Sequence, residues 1–426
     1  MLSSVASAFK VPDLKNRLTF LFAMFAVYVV GLHIQIPGVN PTILSDRFSG
    51  GLFDIFNAFT GGAFKKFTIF AMGIMPYINA SIIMQLLTIA IPQLEEMQKE
   101  GASGQKKIKL YTRWLTGVLG FMQALGTTRL LASSGALIDS GWLFTIQTAI
   151  ILVAGTAFLM WLGEQISEKG IGNGVSIVIF MGIVAFFPSE VFRTIQVELL
   201  TNGNYSGVAI LFILFIATIA FICAITQAQR RIPIQHAKRI VGTNKMVGGQ
   251  SSFLPLKVNS AGVIPIIFAV SIQYFPMTIA SLFTHGDTTS LFYRIANSLA
   301  PGHSWWGSLV YAGMIVFFTY FYTAVTFNVK DVSDNLKKWG SFIPGIRPGK
   351  PTQDYLDKVM TRITLAGALF LATIALMQYY VPQWTGITSF SLIGGTSLLI
   401  VVGVALDTMQ AIESHLVMRH YDGFIK

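Results

Sequence analysis

The side chains able to carry out bond chemistry are few in this sequence, and they are widely separated. The one cysteine, Cys223, lies in an apolar run, so an intrachain disulfide and a cysteine-pair metal site are excluded. The six histidines are scattered, and no HExxH, GxSxG, P-loop or GxGxxG motif is present. We therefore expect no catalytic residue, no metal site and no cofactor, and the protein is not predicted to be an enzyme.

The composition instead indicates a protein that is solvated by lipid. Of the 426 residues, 53% are hydrophobic and only 12% are charged, and the mean hydropathy is +0.63. A soluble domain carries about 25% charged residues, so an ordinary cytosolic enzyme and a disordered chain are both excluded. The sequence predicts a multi-span membrane protein.

Ten apolar stretches are candidates to cross a bilayer, which takes about 20 helical residues each. The predicted fold class is therefore an all-α integral membrane protein with ten transmembrane helices. The predicted spans are 18–36, 67–91, 112–132, 143–163, 173–188, 208–228, 259–283, 307–328, 361–380 and 391–411. Pro76 is expected to kink the second span, and a break at 381–388 that contains proline and glycine divides the last two.

The charges predict the orientation of these spans. With the N-terminus inside, six of the 30 Lys and Arg residues lie outside, where six acidic residues balance them, so the whole net charge of +11 lies inside. Basic residues are retained on the cytoplasmic side of membranes, so both termini are predicted to be cytoplasmic. The N-terminal segment is not expected to be a cleavable signal, because no small-residue cleavage site follows it.

Polar residues within the predicted spans are mostly uncharged. Ionisable groups inside a membrane usually mark ion or proton pathways, and here Glu164 and Asp407 lie close to the inner ends of spans, as solvated helix ends do. Neutral residues such as Gln85 and Gln273 occur in mid-span. They are typical of interhelical hydrogen bonds, or of a polar seam between helices that can open.

A half-length hydrophobic segment lies between the first two spans, at 50–62. Its apolar core of about ten residues is too short to cross a bilayer, and paired glycines flank it. The spacing of its large apolar residues predicts an amphipathic helix; these are Leu52, Phe53, Ile55, Phe56 and Phe59. The residues alone leave two alternatives open, an interfacial helix on the outer leaflet or a re-entrant piece folded into the protein.

Two inner loops, at about 229–258 and 329–360, carry most of the basic charge. Hydrophobic residues between basic pairs predict a hairpin in the first loop, and the prolines and glycines of 342–351 predict a rigid, extended tip in the second. Such tips can bind anionic lipid, acidic protein or RNA phosphate. The candidate docking residues are Arg230, Arg231, Lys238, Arg239, Arg347 and Lys350.

Six motifs together resemble the SecY/Sec61-alpha family of protein-conducting channel subunits, in particular its bacterial members. They are FAMGIMPYINASIIMQLL at 70–87, KEGASGQKKI at 99–108, GIGNG at 170–174, LPLKVNSAGVIP at 254–265, FIPGIRPG at 342–349 and GGTSLLI at 394–400. They follow the family order along most of the chain. The sequence departs from the family pattern at the outer end of span one, which lacks the usual Arg and first Pro, and at Lys169, where Arg is common.

The resemblance implies two pseudo-symmetric halves of five spans. These would be an N-terminal half at 1–190, an external hinge loop at 191–206 and a C-terminal half at 207–426. The resemblance favours the re-entrant alternative for the half-length segment, as a plug at about 51–63. It also implies an hourglass pore with an apolar ring at Ile74, Ile78, Ile179, Ile183, Ile267 and Ile400. Periodicity alone would place the isoleucines of span two against lipid or a neighbouring helix.

The resemblance further implies a function without bond chemistry. The chain would pass unfolded secretory polypeptides across the bacterial inner (plasma) membrane and release transmembrane segments sideways into lipid. The lateral gate would lie between spans two and three and spans seven and eight, where we expect polar contacts from Gln85, Ser271 and Gln273. The implied partners are SecE-like and SecG-like small subunits, the SecA motor ATPase, the ribosome, signal sequences, nascent polypeptides and anionic lipids.

Two other classes of membrane protein compete with this interpretation. An ion-coupled secondary transporter also fits ten spans with pseudo-symmetry. The scarcity of intramembrane charge argues against a transporter, and that class does not explain the half-length segment. An intramembrane hydrolase would need a buried Ser–His pair, paired aspartates or HExxH, and the sequence shows none of these.

Overall fold

A computed structural model describes most of the chain. The described residues are 11–40, 57, 60–133, 135–137, 141–197, 205–236, 239–241, 245–247, 251–283, 291–302, 304–386 and 394–422. Helices dominate this part of the chain, as the apolar composition predicts, because a helix satisfies its own backbone hydrogen bonds in lipid. The few strands all lie between residues 229 and 342.

The helices, numbered along the described residues, run from α1 to α14. They are α1 (Pro12–Gly31), α2 (Ala63–Lys66), α3 (Met75–Ala90), α4 (Pro92–Lys99), α5 (Ala102–Ser133), α6 (Trp142–Lys169), α7 (Gly174–Ile195), α8 (Tyr205–Gln227), α9 (Ile264–Phe283), α10 (Leu291–Leu299), α11 (Trp305–Thr326), α12 (Val329–Lys338), α13 (Lys350–Thr385) and α14 (Thr396–Asp422). Each of the ten predicted spans coincides with one of the longer helices.

The helices confirm a multi-span membrane fold. By length and composition, seven stretches of the described residues are able to cross a membrane, and the pair α3–α4, bent by 100°, makes an eighth if it is counted as one span. Helices α5 and α9 lie at the other two predicted positions. The count of ten spans therefore stays a prediction.

Two local expectations were wrong. The helix of span two begins at Met75 rather than near residue 67, because the chain turns at Phe67 and Gly73, which both have positive φ. Pro76 therefore lies in the first turn of α3, where its missing N–H costs nothing, and it starts the helix instead of kinking it. The break expected at 381–388 is confirmed at its glycine, since α13 ends at Thr385 and is capped by Gly386 in the left-handed conformation.

The strands confirm the predicted hairpin and join it to the second basic loop. Strands β1 (Gln229–His236) and β4 (Ser251–Lys257) pair antiparallel, and the short strands β2 (Arg239–Val241) and β3 (Lys245–Val247) pair with each other. Strand β5 (Ser341–Phe342) pairs with the end of β1. We call the end of the helix bundle that carries these strands the sheet end.

The helices pack in two groups that meet along two seams. Helices α3, α5, α6 and α7 contact one another in series, and so do α9, α11 and α13, while α8 and α13 both contact α14. The groups meet where α7 contacts α14 and where α9 contacts α3 and α5. The largest buried apolar cluster draws residues from both groups, so the core of the protein lies between these seams.

Candidate functional site: a buried isoleucine cavity and an exposed basic end

Isoleucines from three helices surround a small buried cavity between the two seams. Its lining is Thr60, Ile74, Met75, Ile78, Ile179, Ile267 and Val270. We call this space the isoleucine cavity. Four of the six predicted ring residues therefore lie around one space, and the other two, Ile183 and Ile400, belong to the same buried cluster without lining the cavity. All six are at most 8% exposed.

The ends of helices set the positions of these isoleucines. Ile74 is the residue that precedes the first turn of α3, so the chain enters the helix at the cavity. Helix α7 begins after Asn173, whose side-chain oxygen accepts hydrogen bonds from the amides of Val175 and Ser176 at 3.0 and 3.4 Å. This cap fixes the start of the helix that carries Ile179.

The predicted plug residues Leu52, Phe53, Ile55, Phe56 and Phe59 lie outside the described residues. The structure does describe Asn57 and Thr60 of the same segment, and both are buried. The Asn57 side-chain oxygen accepts a hydrogen bond from the amide of Lys65 at 2.9 Å, and its backbone oxygen accepts one from the amide of Gly62 at 2.8 Å. The end of the predicted plug is thus folded into the protein at Thr60, against the isoleucines.

Backbone contacts hold the segment that follows. Residues Ile34–Ile36 bridge to Phe67–Ile69 through two hydrogen bonds of 3.1 and 3.0 Å. The Thr156 hydroxyl of α6 donates to the carbonyl of Gly73 at 3.2 Å. Sequence reasoning missed Thr60, Met75 and Val270 as lining residues, and the paired glycines that follow Thr60 were the available signal.

The three predicted gate residues lie on helices that meet at the seam between α9 and α3–α5. Gln85 is half-buried on α3, and on α9 the hydroxyl oxygen of Ser271 is buried with no hydrogen-bond partner. Gln273 does not reach across the seam as expected. Its amide nitrogen donates to the carbonyls of Leu299 and Gly307, at 2.6 and 2.9 Å, which follow α9 in the chain.

The sheet end presents the predicted docking residues to solvent. Arg230, Arg231, Arg347 and Lys350 are exposed, and no described carboxylate lies within 4.0 Å of their charged groups. Lys238 lies outside the described residues, and Arg239 begins β2. The carbonyl of Arg347 accepts a hydrogen bond from the Thr352 hydroxyl at 2.8 Å, which fixes the backbone of the tip while its guanidinium stays in water.

His236 joins the two basic loops, a role that its sequence context did not indicate. Its Nε2 lies 2.9 Å from the Ser252 hydroxyl of β4, and its Nδ1 lies 2.7 Å from the Ser341 hydroxyl of β5. Apolar side chains from both loops and from α13 form a separate core beneath it; its fully buried members include Ile232, Ile343 and Leu356. The two loops therefore form one folded unit.

Glu164 is not a simple solvated helix end. Its carboxylate accepts two hydrogen bonds from Arg113 of α5, at 2.9 and 2.6 Å, in the bidentate geometry that makes such pairs strong. The pair ties α5 to α6. Among the described residues, no three His, Cys, Asp or Glu side chains gather where a metal ion could bind.

Comparison with known proteins identifies the family. The SecY family model matches residues 68–409. The chain belongs to the SecY family. It is 44% identical over its full length to the protein translocase subunit SecY of Bacillus subtilis, 100% of which is covered, and 43% identical to that of Streptomyces scabiei, also covered completely. The SecY of Pseudomonas aeruginosa is 45% identical over 97% of this chain and 93% of its own length.

Solved SecY-type structures share the fold. One described as a protein-conducting channel has a TM-score of 0.67 with 18% identity, covering 95% of this chain and 93% of that chain. Sec61 in a canine ribosome–channel complex has a TM-score of 0.60 with 17% identity, again over 95% and 93%. The all-α channel fold expected from the sequence is therefore confirmed.

Proposed function

We propose that this protein is the channel subunit of a Sec protein translocase. It passes unfolded secretory polypeptides outward and releases apolar segments sideways into lipid. The observation that carries the proposal is the isoleucine cavity, where residues of α3, α7 and α9 meet Thr60 of the plug segment. Apolar side chains can close around a moving chain without binding it tightly, and a narrow apolar constriction resists wetting.

Two halves that part along the seams would open this cavity. Close backbone approaches at glycine support halves at 1–190 and 207–426, with the hinge loop between them. A Cβ on Gly155 would lie 1.9 Å from the Ile69 carbonyl, and one on Gly367 would lie 2.5 Å from the Val258 carbonyl. Every such approach below 3.0 Å among the described glycines joins residues of the same half. The seams consist of ordinary side-chain contacts, which separate at a lower free-energy cost than the close glycine contacts within each half.

The lateral gate would be the seam where α9 meets α3 and α5. Ser271 supports this assignment, because a buried hydroxyl without a partner costs about 1–3 kcal/mol and regains hydrogen bonds when the seam opens. Gln85 would contact the segment that leaves through the gate. Gln273 would hold the outer end of α9 to α11 while the gate moves.

The sheet end would face the cytoplasm of a bacterial cell, in the inner membrane, with both termini on the same side. Its exposed Arg and Lys residues would receive SecA or the ribosome, and SecE-like and SecG-like subunits would accompany the channel. Signal sequences, nascent polypeptides and anionic lipids complete the partners. Free cationic groups on a folded base suit acidic protein surfaces and RNA phosphate.

A site-specific crosslink tests the proposal. A photoreactive residue is placed at Ile78, a secretory chain is stalled in transit in membrane vesicles, and the adduct is measured. The matched control is Ile150, an exposed isoleucine on α6. We expect a crosslink at position 78 that requires both a signal sequence and a motor or ribosome, and none at 150. Equal yields at the two positions, or no dependence on the signal sequence, would overturn the proposed path.

A further inference from the structure

The base of the basic hairpin touches the helix that carries Ile400. Lys257 is the last residue of β4, opposite Gln229 at the start of β1. Its amino group donates a hydrogen bond to the side-chain oxygen of Gln410 on α14 at 3.0 Å. This hydrogen bond joins segments that are 153 residues apart in the chain.

Helix geometry places the Lys257–Gln410 contact on the same helix as Ile400, farther toward the C-terminus of α14. Ile400, Val404 and Asp407 follow one another at intervals of four and three residues, so they share one face of α14. Ile400 and Val404 are buried, whereas Asp407 is exposed. Seven residues of helix correspond to about 10 Å along the axis. The face that helps to close the core thus continues to an exposed stretch of α14, where Lys257 bonds to Gln410.

The hairpin base is firmly held on its own side. The amide of Val258 donates to the carbonyl of Ala228 at 3.0 Å, which extends the β1–β4 ladder by one further pair. The Ser260 hydroxyl donates to the carbonyl of Lys257 at 2.8 Å. A tilt of the hairpin therefore moves Lys257 with it.

Just beyond Gln410, helix α14 is held by residues of the other half of the molecule. Ile412 packs with Leu14 and Leu18 of α1 and with Ile171 of the turn before α7. Arg17 of α1 donates to the carbonyl of Gly170 in the same turn at 3.1 Å. Helix α14 is therefore held by apolar contacts at Ile412, and Lys257 bonds to Gln410, between Ile412 and Ile400.

We propose that Lys257 is a positioning residue that transmits movement of the docking hairpin to α14, and so to Ile400 of the ring. The contact is polar and lies at the surface, so it adjusts more readily than the buried core does. This inference rests on the proposed function, because it assumes a partner that pushes on the hairpin. It assigns to Lys257 a role in opening the ring rather than in binding the partner.

The test compares Lys257→Gln with the exchanged pair Lys257→Gln/Gln410→Lys, in proteoliposomes that contain the assembled channel and its motor ATPase. Three quantities are measured: motor binding, channel-stimulated ATP hydrolysis, and polypeptide transported per ATP. For Lys257→Gln we expect transport per ATP to fall about fivefold, a typical effect of losing one charge-assisted hydrogen bond, with binding and hydrolysis unchanged. The exchanged pair restores the same bond with its ends reversed, so transport should recover to within about twofold.

Lys66→Gln is the matched control, because it removes an exposed lysine charge on α2, away from the docking surface. It should leave all three quantities unchanged. Normal transport by Lys257→Gln, or a defect that the exchanged pair does not rescue, would overturn the inference. So would a parallel loss of motor binding, which would make Lys257 a docking residue. Failure of the unmodified channel to transport would instead refute the proposed function, and the inference would fall with it.

Discussion

At the isoleucine cavity the lining side chains are mostly apolar and packed together, whereas at the sheet end Arg230, Arg347 and Lys350 stand in solvent. The side chains of the first region are buried against one another in the core. In the second, no described carboxylate lies within 4.0 Å of the charged groups of Arg230, Arg347 and Lys350, which lie on a base of strands and buried apolar residues. A channel that must stay shut and still be opened by another molecule needs both arrangements, and here opposite patterns of burial separate them.

The first experiment introduces a polar group into the buried region. Ile267→Asn should give the largest effect, because an amide without partners is costly in an apolar constriction and favours water there. We expect ion conductance through the resting channel to rise about tenfold, since wetting removes the barrier. Selection for signal sequences should relax as well. Ion flux from reconstituted vesicles and export of substrates with defective signals are the measurements.

Ile267→Leu is the control for that change, since it keeps the volume and the apolar surface. Its conductance should match that of the parent protein. If the asparagine variant were as tight to ions as the leucine variant, Ile267 would not form part of the seal. Ile400→Asn should behave in the same way as Ile267→Asn.

The second experiment reverses a charge in the exposed region. Arg347→Glu should lower partner-driven transport about tenfold, because like charges at a docking surface slow encounter and weaken binding. The fold and the resting ion conductance should not change. Lys66→Glu makes the same charge change at an exposed residue on α2, away from the sheet end. Equal transport by the two variants would remove the docking role of Arg347.

The smallest effect is expected where the plug segment enters the buried region. Gly61 and Gly101 have similar positive φ values of 71° and 77°, but a Cβ on Gly61 would lie 2.9 Å from the Gly182 carbonyl, whereas one on Gly101 meets nothing within 4 Å. Alanine at either position carries the same backbone strain, so only the contact differs. We expect Gly61→Ala to raise ion conductance about threefold relative to Gly101→Ala, because a displaced Thr60 loosens the seal. Identical conductance would mean that this turn has no part in closure.

Local patterns predicted the elements of the fold well. Apolar runs predicted the positions of the long helices, and hydrophobic residues between pairs of basic residues predicted the hairpin. The start of α3 was missed because the turns at Phe67 and Gly73 are held by distant residues, Ile36 after α1 and Thr156 of α6, which no local window contains. The prediction that Gln273 bonds across the seam was wrong for a related reason. A side-chain amide in mid-span can form hydrogen bonds with elements on either side of its helix, and here it bonds to Leu299 and Gly307.

The candidate site depended on more than local pattern. Periodicity placed Ile74 and Ile78 on one face of a helix, but the same period fits a surface against lipid, so only the family resemblance indicated a pore. The contacts of His236 with Ser341 and of Lys257 with Gln410 span 105 and 153 residues. Such pairs are fixed by tertiary structure, which the sequence of either partner does not encode alone.

The apolar lining of the isoleucine cavity also decides where an electric field can act. A membrane potential exerts work of about 2.3 kcal/mol on each elementary charge per 100 mV crossed. None of the described residues that line the cavity carries a charge, so the membrane potential has no side-chain charge to act on there. Once a polypeptide is threaded, its own Asp, Glu, Lys and Arg residues are the charges that cross the field. The voltage would then favour or oppose each client according to that client's sequence.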